Sequence, residues 1–140
     1  MTISNLHYVH KTQYHESDQM GVIHHANYVK WMEEARHNYL EQLNIRIVEM
    51  EKHGVFMPVL SQKVVYKKAI RYDSTIIIQC KCKKINGIKI TFEYIFEDAN
   101  NNDIYGTGET EHGFVDSKFN PIIFMDIFPK EYEILKDNIG

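Results

Sequence analysis

Asp18 stands seven residues ahead of His25 in the run Tyr14-His15-Glu16-Ser17-Asp18-Gln19-Met20-Gly21-Val22-Ile23-His24-His25-Ala26-Asn27-Tyr28. This spacing sets a carboxylate and a glycine turn just before what reads as the longest helix of the chain. A helix start offers unpaired backbone N–H groups and a partial positive charge, so it can hold a developing oxyanion. A carboxylate facing those donors across a bound carbonyl suits hydrolysis of an activated acyl group. An aspartate, with an ordinary pKa near about 3.9, is ionised at neutral pH unless buried. It could attack such a carbonyl directly or deprotonate the water that does. The plainer reading is an aspartate in a polar turn, satisfied by backbone N–H groups. Gly21 permits a tight or positive-φ turn at this place. His24 and His25 are adjacent, so their side chains diverge and at most one faces Asp18. A backbone N–H at the helix entry is unpaired whatever its side chain does.

Those residues need elements to hold them. Leu6 to Gln13 alternates bulky and polar residues and reads as a strand ending at the polar cluster around Ser17-Asp18. Tyr28, Trp31, Met32, Ala35, Tyr39 and Leu43 then follow helical spacing, with Lys30, Glu33, Arg36 and Glu41 largely off that stripe. This predicts one amphipathic helix of about four turns at roughly 3.6 residues each. Asn27 is its expected N-cap and Asn44 its expected stop. Ile45 to His53 adds a short second helix closed by Gly54. After Pro58, four stretches rich in β-branched and aromatic residues read as strands: Val59 to Tyr66, Thr75 to Ile85, Ile88 to Asp98 and Ile104 to Val115. Asn86-Gly87 is a strong two-residue hairpin signal, and Asp98 to Asp103 a longer turn. Pro129 to Leu135 reads as a terminal helix with Pro129 near its start. Strand, long helix and four antiparallel strands give an α+β domain with a sheet around one helix.

Composition narrows the partners. The 140 residues fit one domain, 1–140, with a modest core. A net charge of −3 with scattered Lys and Arg argues against a nucleic-acid surface, which needs concentrated basic charge. Met1 to His7 lacks the pattern of a signal peptide, and no run is long enough to span a bilayer, so a cytoplasmic protein is expected. Cys80 and Cys82 share one strand face, where bridging would distort the strand; they read as reduced, small apolar residues.

Tyr14, the run Ser17 to Tyr28 and the following Trp31-Met32-Glu33-Glu34-Ala35-Arg36 resemble the hotdog-fold acyl-CoA thioesterases of the 4-hydroxybenzoyl-CoA thioesterase class. The predicted element order is also that family's order, a five-stranded antiparallel sheet wrapped around one long central helix. The resemblance implies that Asp18 is the catalytic carboxylate and that the N–H of His25 polarises the thioester carbonyl. It implies a substrate site near Tyr14, Gly21, His24, Tyr28 and Trp31, with no metal and no cofactor. His24 departs from the family pattern, where Tyr or Phe is common. The family implies an acyl-CoA substrate, or the pantetheine arm of acyl carrier protein, and a homodimer or homotetramer with the site between subunits. An acyl-carrier-protein thioesterase and a non-catalytic acyl-CoA-binding module are the rival functions, since one fold hosts many activities.

The other candidates have plainer explanations. Glu33 and Glu34 read as a solvated helix face or a polar contact between subunits, with Arg36 as the surface partner of Glu33. Gly106-Thr107-Gly108 lacks the third glycine and the helix of a nucleotide loop, and instead marks a bend or a close backbone approach. Lys81 and Lys83 share a strand face opposite Lys84, so with Lys67, Lys68 and Arg71 they do not form one phosphate-binding patch.

Overall fold

In the computed structural model residues 7–18, 21–23 and 26–139 are described, Ala26 by its backbone alone. The elements are β1 (His7–Lys11), a 3-10 turn at Tyr14–Glu16, α1 (Ala26–Gln42) and α2 (Ile47–Lys52), then β2 (Val59–Tyr66), β3 (Thr75–Ile85), β4 (Lys89–Asp98) and β5 (Ile104–Gly113). Two C-terminal helices follow, α3 (Phe124–Ile127) and α4 (Pro129–Asp137). The strands form one antiparallel sheet in the order β1-β3-β4-β5-β2. This is the expected α+β arrangement.

Alternation explains how the sheet carries α1. Ile76, Ile78, Cys80 and Cys82 of β3 and Ile90, Phe92, Tyr94 and Phe96 of β4 are buried and face the helix, as period-two strands require. The predicted helical stripe, Tyr28, Trp31, Met32, Ala35, Tyr39 and Leu43, is buried against them. Tyr39 meets Phe92 edge to face, and its hydroxyl accepts the Cys82 N–H at 3.3 Å where the register of β3 shifts. Met32 lies over Gly108; a Cβ there would come within 2.6 Å of its sulfur. At Gly106 a Cβ would meet the Val65 carbonyl oxygen at 2.5 Å. The two glycines therefore mark close approaches, as expected. Both cysteines are free and buried, and burial pushes the Cys82 thiol up to about 12. On the opposite face Lys81 pairs with Glu93 at 3.3 Å and Lys83 with Glu109 at 3.0 Å, a solvated charge ladder.

Three local expectations are corrected. Asn27 does not precede the helix: α1 already runs from Ala26, and the Asn27 amide donates to the Glu16 carbonyl at 2.8 Å. Arg36 does not pair with Glu33 on the surface. It is buried between α1 and the sheet, where its guanidinium donates to the Tyr94 hydroxyl at 3.2 Å. The β3–β4 hairpin exists, but its tip is Gly87-Ile88, because the Asn86 N–H donates to the Lys89 carbonyl and the Asn86 side chain accepts the N–H groups of Ile88 and Lys89. Gly87 serves close packing: a Cβ there would lie 3.2 Å from Ile123, and its carbonyl accepts the Phe124 N–H. Asn44 with φ of 62° and Gly54 with φ of 78° end α1 and α2 as expected.

Candidate active site

The loop after β1 is fixed from both ends before it reaches α1. At its start Thr12, buried at the end of β1, donates its hydroxyl toward the carbonyls of Arg71, Tyr72 and Ser74 and accepts the Ser74 N–H. At its far side Ile23 donates its N–H to the Ile70 carbonyl at 2.7 Å, and Gly21 accepts the Tyr72 N–H at 3.2 Å. Between them the chain closes a tight turn. The Asp18 N–H donates to the Val22 carbonyl at 2.8 Å and the Gly21 N–H to the Asp18 carbonyl at 3.1 Å. Gly21 has φ of 74°, a conformation costly for any side chain.

Asp18 is exposed at this turn, and one carboxylate oxygen accepts the Val22 N–H at 3.2 Å. The backbone thus helps to orient the carboxylate. Tyr14 is 76% exposed and stacks edge to face on Tyr72 at 5.5 Å, on the same loop surface. Tyr28 and Trp31 lie in the core: Trp31 is fully buried, and burial pushes the Tyr28 hydroxyl up to about 12. His24 and His25 lie outside the described residues. They occupy the two positions between Ile23, anchored to Ile70, and the first residue of α1.

Glu16, two residues before Asp18, is the anchor that sequence reasoning missed. It is 6% exposed, and its carboxylate accepts the Gln13 N–H at 2.7 Å and the Trp31 indole N–H at 2.7 Å. His10 of β1 reaches both of its oxygens, at 3.0 and 3.2 Å. Burial pushes the Glu16 carboxyl up, but the hydrogen bonds from His10, the Gln13 backbone and Trp31 outweigh it and hold the group below the usual carboxylate range. One carboxylate thus ties β1, the loop and the first turns of α1. The spacing Gln13-x-x-Glu16, in which Glu16 turns back onto the Gln13 N–H, was the available signal. Glu34 sits beside this cluster rather than in bare solvent: it accepts the Tyr8 hydroxyl at 2.6 Å and lies 3.7 Å from His10.

Chemically, the arrangement offers an exposed carboxylate, held by the Val22 N–H, eight residues ahead of the 17-residue helix α1. Among the described residues no helix is long and apolar enough to cross a membrane.

Residues 12–126 match the profile of the thioesterase-like superfamily. YneP of Bacillus subtilis, which carries a provisional name as an acyl-CoA thioesterase, is 36% identical over 121 residues, covering 85% of this chain and 86% of its own. A protein of Aquifex aeolicus provisionally named an esterase is 30% identical over 133 residues, covering 93% of this chain and 97% of its own. The crystal structure of a DHNA-CoA thioesterase from Staphylococcus aureus superposes with a TM-score of 0.88 at 30% identity, over 94% of this chain and 88% of that one.

Proposed function

Since the chain belongs to the thioesterase-like superfamily and has its hotdog architecture, we propose that it is an acyl-CoA thioesterase whose Asp18 and helix α1 act on opposite sides of the thioester. The observation that carries this reading is the placement of Asp18 on a loop held by Thr12, Glu16, Ile23 and Gly21 immediately ahead of α1. In the direct route a carboxylate oxygen attacks the thioester carbon, the carbonyl pair moves onto oxygen, and the tetrahedral centre collapses with loss of CoA thiolate. Water then opens the mixed anhydride, giving the free acid and restoring Asp18. In the water-mediated route Asp18 takes the proton of the attacking water instead. Either way the oxyanion forms beside the positive end of α1, with the N–H of His25 as donor. One such donor contributes about 3 kcal/mol to the transition state. A thioester is already activated, so this chemistry draws on no metal or redox cofactor.

The site sits at the surface of one copy, and β2 is a sheet edge bonded on one side to β5, with Val59, Leu60, Val65 and Tyr66 exposed. Pairing two copies along β2 would cover that edge, so a homodimer is the working assembly. A cytoplasmic location goes with a CoA substrate.

Thiol release from acyl-CoAs, short aliphatic to aromatic, with acyl carrier protein thioesters alongside, tests the reading in wild type and Asp18→Asn. Wild type should turn over at least one acyl-CoA, and the variant should lose about a hundredfold or more, roughly 2.7 kcal/mol. Equal rates for both proteins would remove Asp18 from the chemistry. Thiol release from carrier protein thioesters alone would replace CoA as the carrier.

A further inference from the structure

A second feature of α1 has no part in the Asp18 chemistry. Arg36 is only 8% exposed, and its single hydrogen bond among the described residues goes to a neutral group, the Tyr94 hydroxyl. No carboxylate among the described residues lies within ion-pair distance of it. Behind Tyr94 the polar atoms continue as a chain: Tyr94 to Thr110 at 2.7 Å, Thr110 to His112 at 2.9 Å, and His112 to the Met57 carbonyl at 3.2 Å. A neutral His112 gives the chain one direction. With Nδ1–H donating to the Met57 carbonyl, Nε2 of a neutral His112 accepts from Thr110, which accepts from Tyr94, which accepts from Arg36. Burial and the Arg36 charge pull the His112 pKa down to about 4, which favours this neutral form.

That cation opens onto a cavity of about 530 Å³ between the C-terminal half of α1, α2 and the start of β2. No fully buried side-chain nitrogen or oxygen among the described residues lacks a partner, so the guanidinium nitrogens not engaged by Tyr94 reach this space. The inner wall is apolar, formed by Ile45, Met50, Val55 and Met57. Glu33, Glu41 and Glu51 also line the cavity, but all three are exposed, and Glu41 is engaged by Arg46 at 3.8 Å. Their charges are screened by water more fully than that of Arg36, which is only 8% exposed. A largely buried guanidinium whose outward donors meet only water is a ready partner for an anion, and its planar fork matches a carboxylate.

We propose that this cavity binds a small monocarboxylate with an apolar body, its charge on Arg36 and its body against Ile45, Met50, Val55 and Met57. The site goes beyond the proposed hydrolysis and needs neither Asp18 nor turnover: along α1, Arg36 lies ten residues past Ala26, about 15 Å at 1.5 Å per residue. Only the physiological source of the occupant rests on the proposed activity, since a thioester hydrolase releases carboxylic acids.

The test is an NMR titration of protein carrying ¹³C-methyl methionine, read at Met50 and Met57, with hexanoate and benzoate against hexanamide and benzamide. The acids should shift both signals saturably and bind at least about tenfold more tightly than the amides, as charge-assisted pairing requires. Arg36→Gln should erase that preference. Should Arg36→Gln fail to fold, Val48→Trp, which fills the exposed rim, should weaken the acids while the protein stays folded. Asp18→Asn should bind as wild type does, whatever its effect on hydrolysis. Equal binding of acids and amides, or no saturable shift at about 10 mM ligand, would overturn the proposal.

Discussion

The indole N–H of Trp31 donates to Oε2 of Glu16 at 2.7 Å in the protein interior, and this bond couples the second turn of α1 to the loop that carries Asp18. Since Glu16 also holds the Gln13 N–H and His10, the helix and the loop cannot shift independently without breaking a buried, charge-assisted contact.

Glu16→Gln should therefore destabilise the protein although it preserves shape. A carboxamide has one accepting oxygen where the carboxylate has two, so either Trp31 or Gln13 must face an NH₂ group. The expected loss is about 2 kcal/mol in urea unfolding. An unchanged midpoint would mean that the loop is held by Thr12 and Ile23 alone.

Stability should also fall with pH in two separable stages. His112 is held near 4 when folded, by burial and by Arg36, and titrates near about 6.5 when unfolded. The unfolded chain thus binds the extra proton as pH drops through that interval, and the folded state loses on the order of 3 kcal/mol between pH 6.5 and 4. Glu16 is depressed below the ordinary carboxylate value, so its contribution is complete above about pH 4.5 and disappears as pH falls further. Urea midpoints measured from pH 7 to 3.5 should fall less steeply for His112→Gln in the upper part of the range, and for Glu16→Gln in the lower part.

The two glycines of β5 should differ under the same substitution. In Gly106→Ala the new methyl meets the Val65 carbonyl oxygen at 2.5 Å, backbone that is fixed by the sheet, whereas in Gly108→Ala it meets the flexible Met32 side chain at 2.6 Å. Gly106→Ala should cost about 3 kcal/mol and Gly108→Ala about 1 kcal/mol. Thermal unfolding of the pair checks the order, and a reversal would show that β2 moves more easily than α1 repacks.

The strands were the most legible part of the sequence, because alternation and flanking turn residues are local signals. Val59–Tyr66 and Thr75–Ile85 have the expected limits. The buried stripe of α1 was equally plain. What escaped were polar residues whose partners are distant in sequence. Arg36 looks like a surface charge until Tyr94, 58 residues away, receives it. Glu16 looks like part of a hydrophilic loop until Trp31 and His10 close on it. The hairpin after β3 was recognised from Asn86-Gly87, but its tip was set by the Asn86 side chain and by the C-terminal segment packed on Gly87. The Asp18 turn was legible because glycine and aspartate chemistry is local. The packing that orients it was not.

The strand order gives the assembly of the molecule a timetable. β3, β4 and β5 are joined by short connections and pair with their sequence neighbours, whereas β1 must find β3 across more than sixty residues, His7 opposite Gln79. Loop-closure entropy favours the local meander first and defers the distant pairing. The anchors of the Asp18 turn, Thr12 on Ser74 and Ile23 on Ile70, belong to the deferred set. In pulse-labelled hydrogen exchange during refolding, the amides of β4 should gain protection before those of Thr12, Asp18 and Ile23. A sheet-first chain of this kind is already compact while the Asp18 turn is still unplaced, so the proposed catalytic carboxylate is among the last groups to be positioned.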